Sequence, residues 1–149
     1  MKLQKQPNNW SCLPTAFAMA LDIDVEQLIK LIGHDGSEIW FPNQKEEHHK
    51  KRAFNPSEIM MTVLKMGRYV TPVVAQYEIS PVENGEARQI ITPQSEIIQI
   101  MNNHCGVLTG YIRGRRHAVA WDGNMIFDPN GSKYERTLFD MEIFWTVSP

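Results

Sequence analysis

The chain has 149 residues, 42% hydrophobic and 21% charged, with a formal net charge of −2. That is the size and composition of one globular domain, long enough to bury a core without disulfide or metal staples. So even a balance offers no global field for nucleic acid or an anionic bilayer, and no run approaches the roughly 18 apolar residues of a membrane span.

The basic start, Met1 to Pro7, leads into no apolar signal core. The expected location is therefore cytoplasmic, with no membrane and no nucleic-acid partner. In that reducing compartment Cys12 and Cys105, the only cysteines, should remain free thiols. In an exported protein they would instead form one disulfide.

After the turn signal Pro7-Asn8-Asn9, residues Cys12 to Leu21 read as a helix that is apolar nearly all round, and so buried. Ser11 is placed to cap it, and Pro14 falls in the first turn, where a missing N–H costs nothing. Asp24 is placed to cap a second helix, Val25 to Ile32, which Gly33 ends. Residues 34–54 are polar and charged and read as a solvated, mobile loop insertion. Asn55-Pro56-Ser57-Glu58 has the cap, Pro and Glu of a helix start, and that helix runs to Met66. Tyr69 to Ile79 reads as a strand whose Pro72 puts it at an edge. Thr92-Pro93 opens another helix, to about Asn103. Strands follow at 106–112, 117–121 and 125–128, then a turn of helix within 132–141 and a last strand at 143–147. Helices first and antiparallel strands last predict an α+β fold, with a helical half packed on a sheet half and a groove between them.

Cys12 falls at the start of the buried helix, where unpaired N–H groups and the positive end of the helix dipole favour a thiolate. Gln6 lies six residues earlier on the lead-in loop. Its side-chain NH₂ and the Cys12 backbone N–H would make two donors for an oxyanion. A base is expected from the sheet half. His117-Ala118-Val119-Ala120-Trp121 and Met125-Ile126-Phe127-Asp128 flank Asp122-Gly123-Asn124, a hairpin signal. With Asp122-Gly123 as the loop, His117 faces Asp128, their Cβ atoms roughly 5 Å apart. With Gly123-Asn124 as the loop, His117 faces Asn130; the stronger turn preference of Asp-Gly favours the first register. Either partner can orient the imidazole toward the thiol, giving a nucleophile, a base and an orienter.

Gln6, five intervening residues, then Cys12 at a helix start resembles the spacing of papain-like cysteine peptidases. The His117-Ala-Val-Ala-Trp and Phe127-Asp128-Pro129 segments, and the aromatic ending Leu138 to Trp145, resemble the C39-like branch, which includes peptidases that cut double-glycine leader peptides. The resemblance implies a papain-like fold with Gln6 at the oxyanion, Cys12 as nucleophile, His117 as base and Asp128 as orienter. Ser11-Cys12-Leu13 departs from the acid-then-Cys-Gly of that branch, and a bulky Leu13 alters the groove beside the sulfur. No transporter segment follows and no pro-segment precedes Gln6, so leader export and zymogen control are not expected. The 34–54 insertion has no counterpart to give it a role.

Simpler readings exist for each residue. A cysteine in an apolar helix is usually small core, a histidine before Ala-Val-Ala a strand-end residue, and a lone glutamine surface. His34-Asp35 and His48-His49 lack the helical spacing or cysteine partners of a zinc site, so no metal or cofactor is expected. Cys105 follows a helix C-terminus, where the dipole disfavours a thiolate, and reads as structural. Trp10 and Leu13 are placed to line a substrate groove. Trp10, Trp40 and Phe41 either line it or plug the seam between the halves. Arg113-Gly114-Arg115-Arg116 reads as a solvated hairpin tip beside His117, with binding of an acidic substrate group as the other use. The expected function is a thiol hydrolase acting on a peptide or protein substrate at a peptide, isopeptide or amide bond. The alternatives are a cysteine acyltransferase of transglutaminase-like chemistry and a catalytically silent module that grips a peptide.

Overall fold

The structure is a computed structural model that describes residues 1–74 and 94–149. The described residues form helices α1 (Cys12–Leu21), α2 (Val25–Ile32), α3 (Pro56–Lys65) and α4 (Gln94–Asn103). Their strands are β1 (Val70–Val74), β2 (Gly106–Ile112), β3 (Arg115–Trp121), β4 (Ile126–Phe127), β5 (Lys133–Tyr134) and β6 (Asp140–Val147). One antiparallel sheet orders them β1-β6-β2-β3-β4-β5. The fold is α+β. Pro72 sits in β1, an edge strand, where its missing N–H leaves no gap in the ladder. The remainder of the strand expected to Ile79, and the Thr92-Pro93 helix start, lie outside the described residues.

Alternation along the strands decides which helix meets which face. Val107, Ala118, Ala120, Phe127 and Trp145 turn toward α1, α2 and α3, packing with Phe17, Met19, Leu28 and Ile59. Leu108, Val119, Trp121, Ile126 and Phe144 turn the other way, onto Ile97 and Met101 of α4. The described sheet is thus covered on both faces, not on one. That explains why 117–121 is nearly continuously apolar: a strand buried on both sides has no polar face to alternate with. α1 lies against β3 and β2 and is buried from Pro14 to Met19. Burying a side chain such as Phe17 stabilises the fold by about 1.5–3 kcal/mol.

Several local expectations are corrected. The Ser11 hydroxyl does not cap α1; it donates to Asn8 Oδ1 at 2.6 Å and helps shape the lead-in turn. Asp24 makes no side-chain cap either. Gln4 takes that place, accepting from Val25 N–H at 2.8 Å while donating to Ile23 O at 2.7 Å. The capping box of α3 forms, Asn55 Oδ1 with Glu58 N–H and Glu58 Oε2 with Asn55 N–H. Residues 132–141 hold β5 and a short 3₁₀ turn, Arg136–Leu138, with β6 already begun at Asp140. Only Arg113-Gly114 forms the hairpin tip, both at positive φ as a type I′ turn requires, whereas Arg115 and Arg116 belong to β3.

The 34–54 insertion is not a featureless loop. Its stem is closed by Trp40 and Phe41 N–H on Lys50 O, Arg52 N–H on Glu38 O and Ala53 N–H on Gly36 O. A 3₁₀ turn, Glu47–Lys50, leads directly into its returning side. Arg52 and His34 converge on Glu58 Oε1 at 2.8 and 3.1 Å, tying the stem to α3. Trp40 and Phe41 are about half exposed, so they plug no seam.

Candidate active site

Three segments converge to build the site. The N-terminal segment is held by the Gln4 clamp and by Gln6 N–H, which donates to Pro129 O at 2.8 Å. Asn8 Oδ1 then accepts from Trp10 N–H and Ser11 Oγ, setting the turn into α1. Cys12 stands half-buried at the first position of α1. Its backbone N–H, like those of any first helical turn, has no acceptor within the helix.

His117 enters from β3. Its Nε2 lies 2.9 Å from Oδ1 of Asp128, which is fully buried. With Nε2 held there, Nδ1 is the ring nitrogen left for Cys12, which lines the same cleft. Burial works against a charged imidazole here. The hydrogen bond to Asp128 and then the neighbouring Cys12 thiol outweigh it, raising the His117 pKa from 6.5 to about 9. At neutral pH His117 is therefore an imidazolium.

The route by which Asp128 reaches His117 differs from the preferred hairpin register. Strand pairing is Ala120 with Phe127 and Trp121 with Ile126, two residues out from an Asp122-Gly123 loop. The loop is Gly123-Asn124, with Gly123 alone at positive φ, as a type II′ turn places it. Asp122 stabilises this turn, its Oδ1 accepting from Asn124 and Met125 N–H. By count that register sets Asn130 opposite His117. Pairing stops at Phe127, however, and the chain doubles back through Asp128 N–H to Ser132 O and Gly131 N–H to Asp128 O. Asp128 is thereby the residue that meets the imidazole. Asn130 contributes its backbone N–H to Asp128 Oδ1 at 2.8 Å.

Tyr134 is a site residue that the sequence reading did not single out. From β5 its hydroxyl donates to Asp128 Oδ2 at 2.6 Å. Burial tends to raise the Asp128 pKa, but the bonds from His117, Tyr134 and Asn130 N–H hold it below the usual carboxylate range. The same contact, after burial, pushes the Tyr134 phenol above its ordinary value. A lone tyrosine in a short polar segment carries no sequence signal for this task; only the β4–β5 turn brings it there. Tyr134→Phe is expected to cost about 1.5–3 kcal/mol, the worth of a hydrogen bond to a charged group. It should also move the acid-unfolding midpoint to higher pH, because Asp128 loses one of the donors that depress its pKa. Thermal melts between pH 2 and 6 read both effects.

Gln6, Trp10, Cys12, Leu13, His117 and Asp128 all line one cleft of about 1590 Å³. Gln6 is half-buried, and its Oε1 is buried with no hydrogen-bond partner among the described residues. Trp10 is fixed by Nε1–H donating to Asp35 O at 2.9 Å, with Lys51 Nζ 5.3 Å from its ring centre. The hairpin arginines Arg113, Arg115 and Arg116 and the insertion residues Glu46, His48 and His49 also line this cleft. Trp40 and Phe41 do not. Both cysteines are free, and Cys105 is exposed with its thiol 3.5 Å from Asp122 O. Among the described residues no helix is long and apolar enough to cross a membrane.

A thiol, an imidazolium fixed by a buried carboxylate, and an open cleft over both can perform nucleophilic acyl chemistry. The chain matches no protein-family model and no curated protein.

Proposed function

We propose that the protein is a cysteine-dependent hydrolase of the papain-like kind, acting on a peptide, isopeptide or amide bond in a reducing compartment such as the cytoplasm. The observation that carries this reading is that Cys12, His117 and Asp128 line one cleft, with Nε2 of His117 committed to the buried carboxylate. The C39-like resemblance of the sequence supports the same roles.

The steps follow from the residues. The Cys12 proton rests on His117 Nδ1, so the pair acts as thiolate and imidazolium, and the Cys12 sulfur adds to the substrate carbonyl carbon. The resulting oxyanion is met by the Cys12 N–H and, with its amide turned NH₂-inward, by Gln6. His117 donates the Nδ1 proton to the leaving amine as the C–N bond breaks, leaving a thioester on Cys12. Neutral His117 then takes a proton from water, the hydroxide oxygen adds to the thioester carbonyl, and the acid departs as the C–S bond breaks. Asp128 stays ionised throughout and holds the ring in place.

Peptide, isopeptide and amide substrates bearing an aldehyde or fluoromethyl ketone at the scissile carbonyl test this reading. Intact-mass spectrometry is expected to find one adduct, mapped to Cys12 and missing from Cys12→Ser. Adding a primary amine to a turning-over substrate separates hydrolysis from acyl transfer. Absence of any Cys12 adduct from all three probe classes, with the fold intact, would overturn the proposal in favour of a silent binding module.

A further inference from the structure

We propose that Glu46, His48 and His49, on the insertion wall of the cleft, form a binding site for a divalent transition-metal ion of the zinc class. The inference is independent of the hydrolase reading. One ligand atom from each residue lies within 4.8 Å of the other two. Glu46 Oε2 is 3.1 Å from His48 Nε2 and 3.8 Å from His49 Nδ1. Ligand bonds of about 2.0–2.1 Å around a tetrahedral zinc imply ligand-to-ligand edges of roughly 3.3–3.4 Å. The two spacings bracket that edge, so small side-chain rotations complete the set.

The local backbone explains how neighbouring residues point at one spot. Successive side chains of a strand diverge to opposite faces; the Glu47–Lys50 3₁₀ turn instead brings the His48 and His49 rings to 4.1 Å between centres. They present different nitrogens, Nε2 and Nδ1, to the same carboxylate oxygen. Two protonated imidazoles so placed would repel each other, whereas two neutral ones present lone pairs to a shared cation. Competing cations are directed elsewhere. Lys50 and Lys51 pair with Glu47 at 3.5 and 3.2 Å, and among the described residues no lysine or arginine pairs with Glu46. Nitrogen–nitrogen–oxygen donors suit zinc-class ions, and three protein ligands leave one tetrahedral position for water or a group in the cleft. The sequence reading set metal aside because it compared histidine and cysteine pairs; Glu46 makes the third donor.

Isothermal titration of the full chain with zinc chloride at pH 7.5 tests the site, with the Cys12→Ser/Cys105→Ser double variant run alongside to remove both thiols as ligands. Saturable one-to-one binding is expected in both proteins. In the thiol-free background, His48→Gln and His49→Gln should each weaken it more than about tenfold, since even outer-shell losses reach that size. Both histidines are more than one-third exposed, so unchanged melting temperatures should show that the fold survives. Cobalt(II) should give visible absorption of four-coordinate intensity that the histidine variants lose. The proposal is overturned by no binding to the wild type, by binding that survives both histidine changes, or by binding that disappears with the thiols.

Discussion

Asp128→Asn is expected to cost on the order of 3 kcal/mol near pH 6 and to flatten the stability–pH curve between pH 6.5 and 9. The first effect follows from removing the anionic partner of a largely buried imidazolium, which leaves its charge uncompensated. The second follows from linkage. The folded-state pKa of His117, about 9, lies above its ordinary 6.5. Its contribution is therefore complete below pH 6.5 and is lost as pH rises through 9. Asp128 runs the other way. Its folded pKa lies below the ordinary 3.8, so its contribution is present above that value and lost as pH falls through the depressed one. Wild-type stability should be greatest between these limits, at about pH 4–6.5. In Asp128→Asn the imidazole loses the largest of the interactions raising its pKa, so the alkaline decline should shrink and begin at lower pH. Chemical denaturation across pH 4 to 10 measures this. An unchanged alkaline decline in the variant would show that Asp128 does not hold the His117 charge.

His117→Ala should lower kcat/KM for any substrate of the proposed reaction by about 10²–10⁴-fold, the usual contribution of a positioned acid–base group. The variant should fold. Asp128 retains Tyr134 Oη and Asn130 N–H as donors at 2.6 and 2.8 Å, and water can enter from the cleft into the space the ring leaves. Because the lost group is small and faces an open cleft, added imidazole is expected to restore part of the rate. The wild type should gain nothing from it.

Much of the fold was legible because local signals and tertiary demands agree. The Cys12–Leu21 helix is apolar on all sides and central. Asn55-Pro56-Ser57-Glu58 forms the capping box its sequence announces, and Pro72 takes an edge strand. Where a nearby polar side chain had a choice of partners, sequence alone did not reveal which it took. Ser11 turned to Asn8, and the N-terminus of α2 was taken over by Gln4, some twenty residues upstream. The α4 helix covers the second sheet face because every residue of 118–121 is apolar, a feature that signals burial but not what provides it.

The candidate site divides in the same way. Cys12, His117 and Asp128 each carry a type and position that chemistry recognises, and the structure brings all three together. The preferred hairpin register was off by two residues, because Asp122 caps its own turn and shifts the loop to Gly123-Asn124. Asp128 still reaches His117, through the fold-back after Phe127 that no strand-pairing rule describes. Tyr134 and the Glu46–His48–His49 wall became visible only once β5 and the insertion had been placed against the cleft.

The most direct test of the Cys12–His117 pair is the rate of iodoacetamide alkylation at Cys12 as a function of pH, in Cys105→Ser and in Cys105→Ser/His117→Ala. The account predicts that Cys12 reacts well below pH 8 in the first protein and that this low-pH reactivity vanishes in the second, leaving the profile of an ordinary thiol. Identical profiles in the two proteins, or a Cys12 inert across the range, would contradict it.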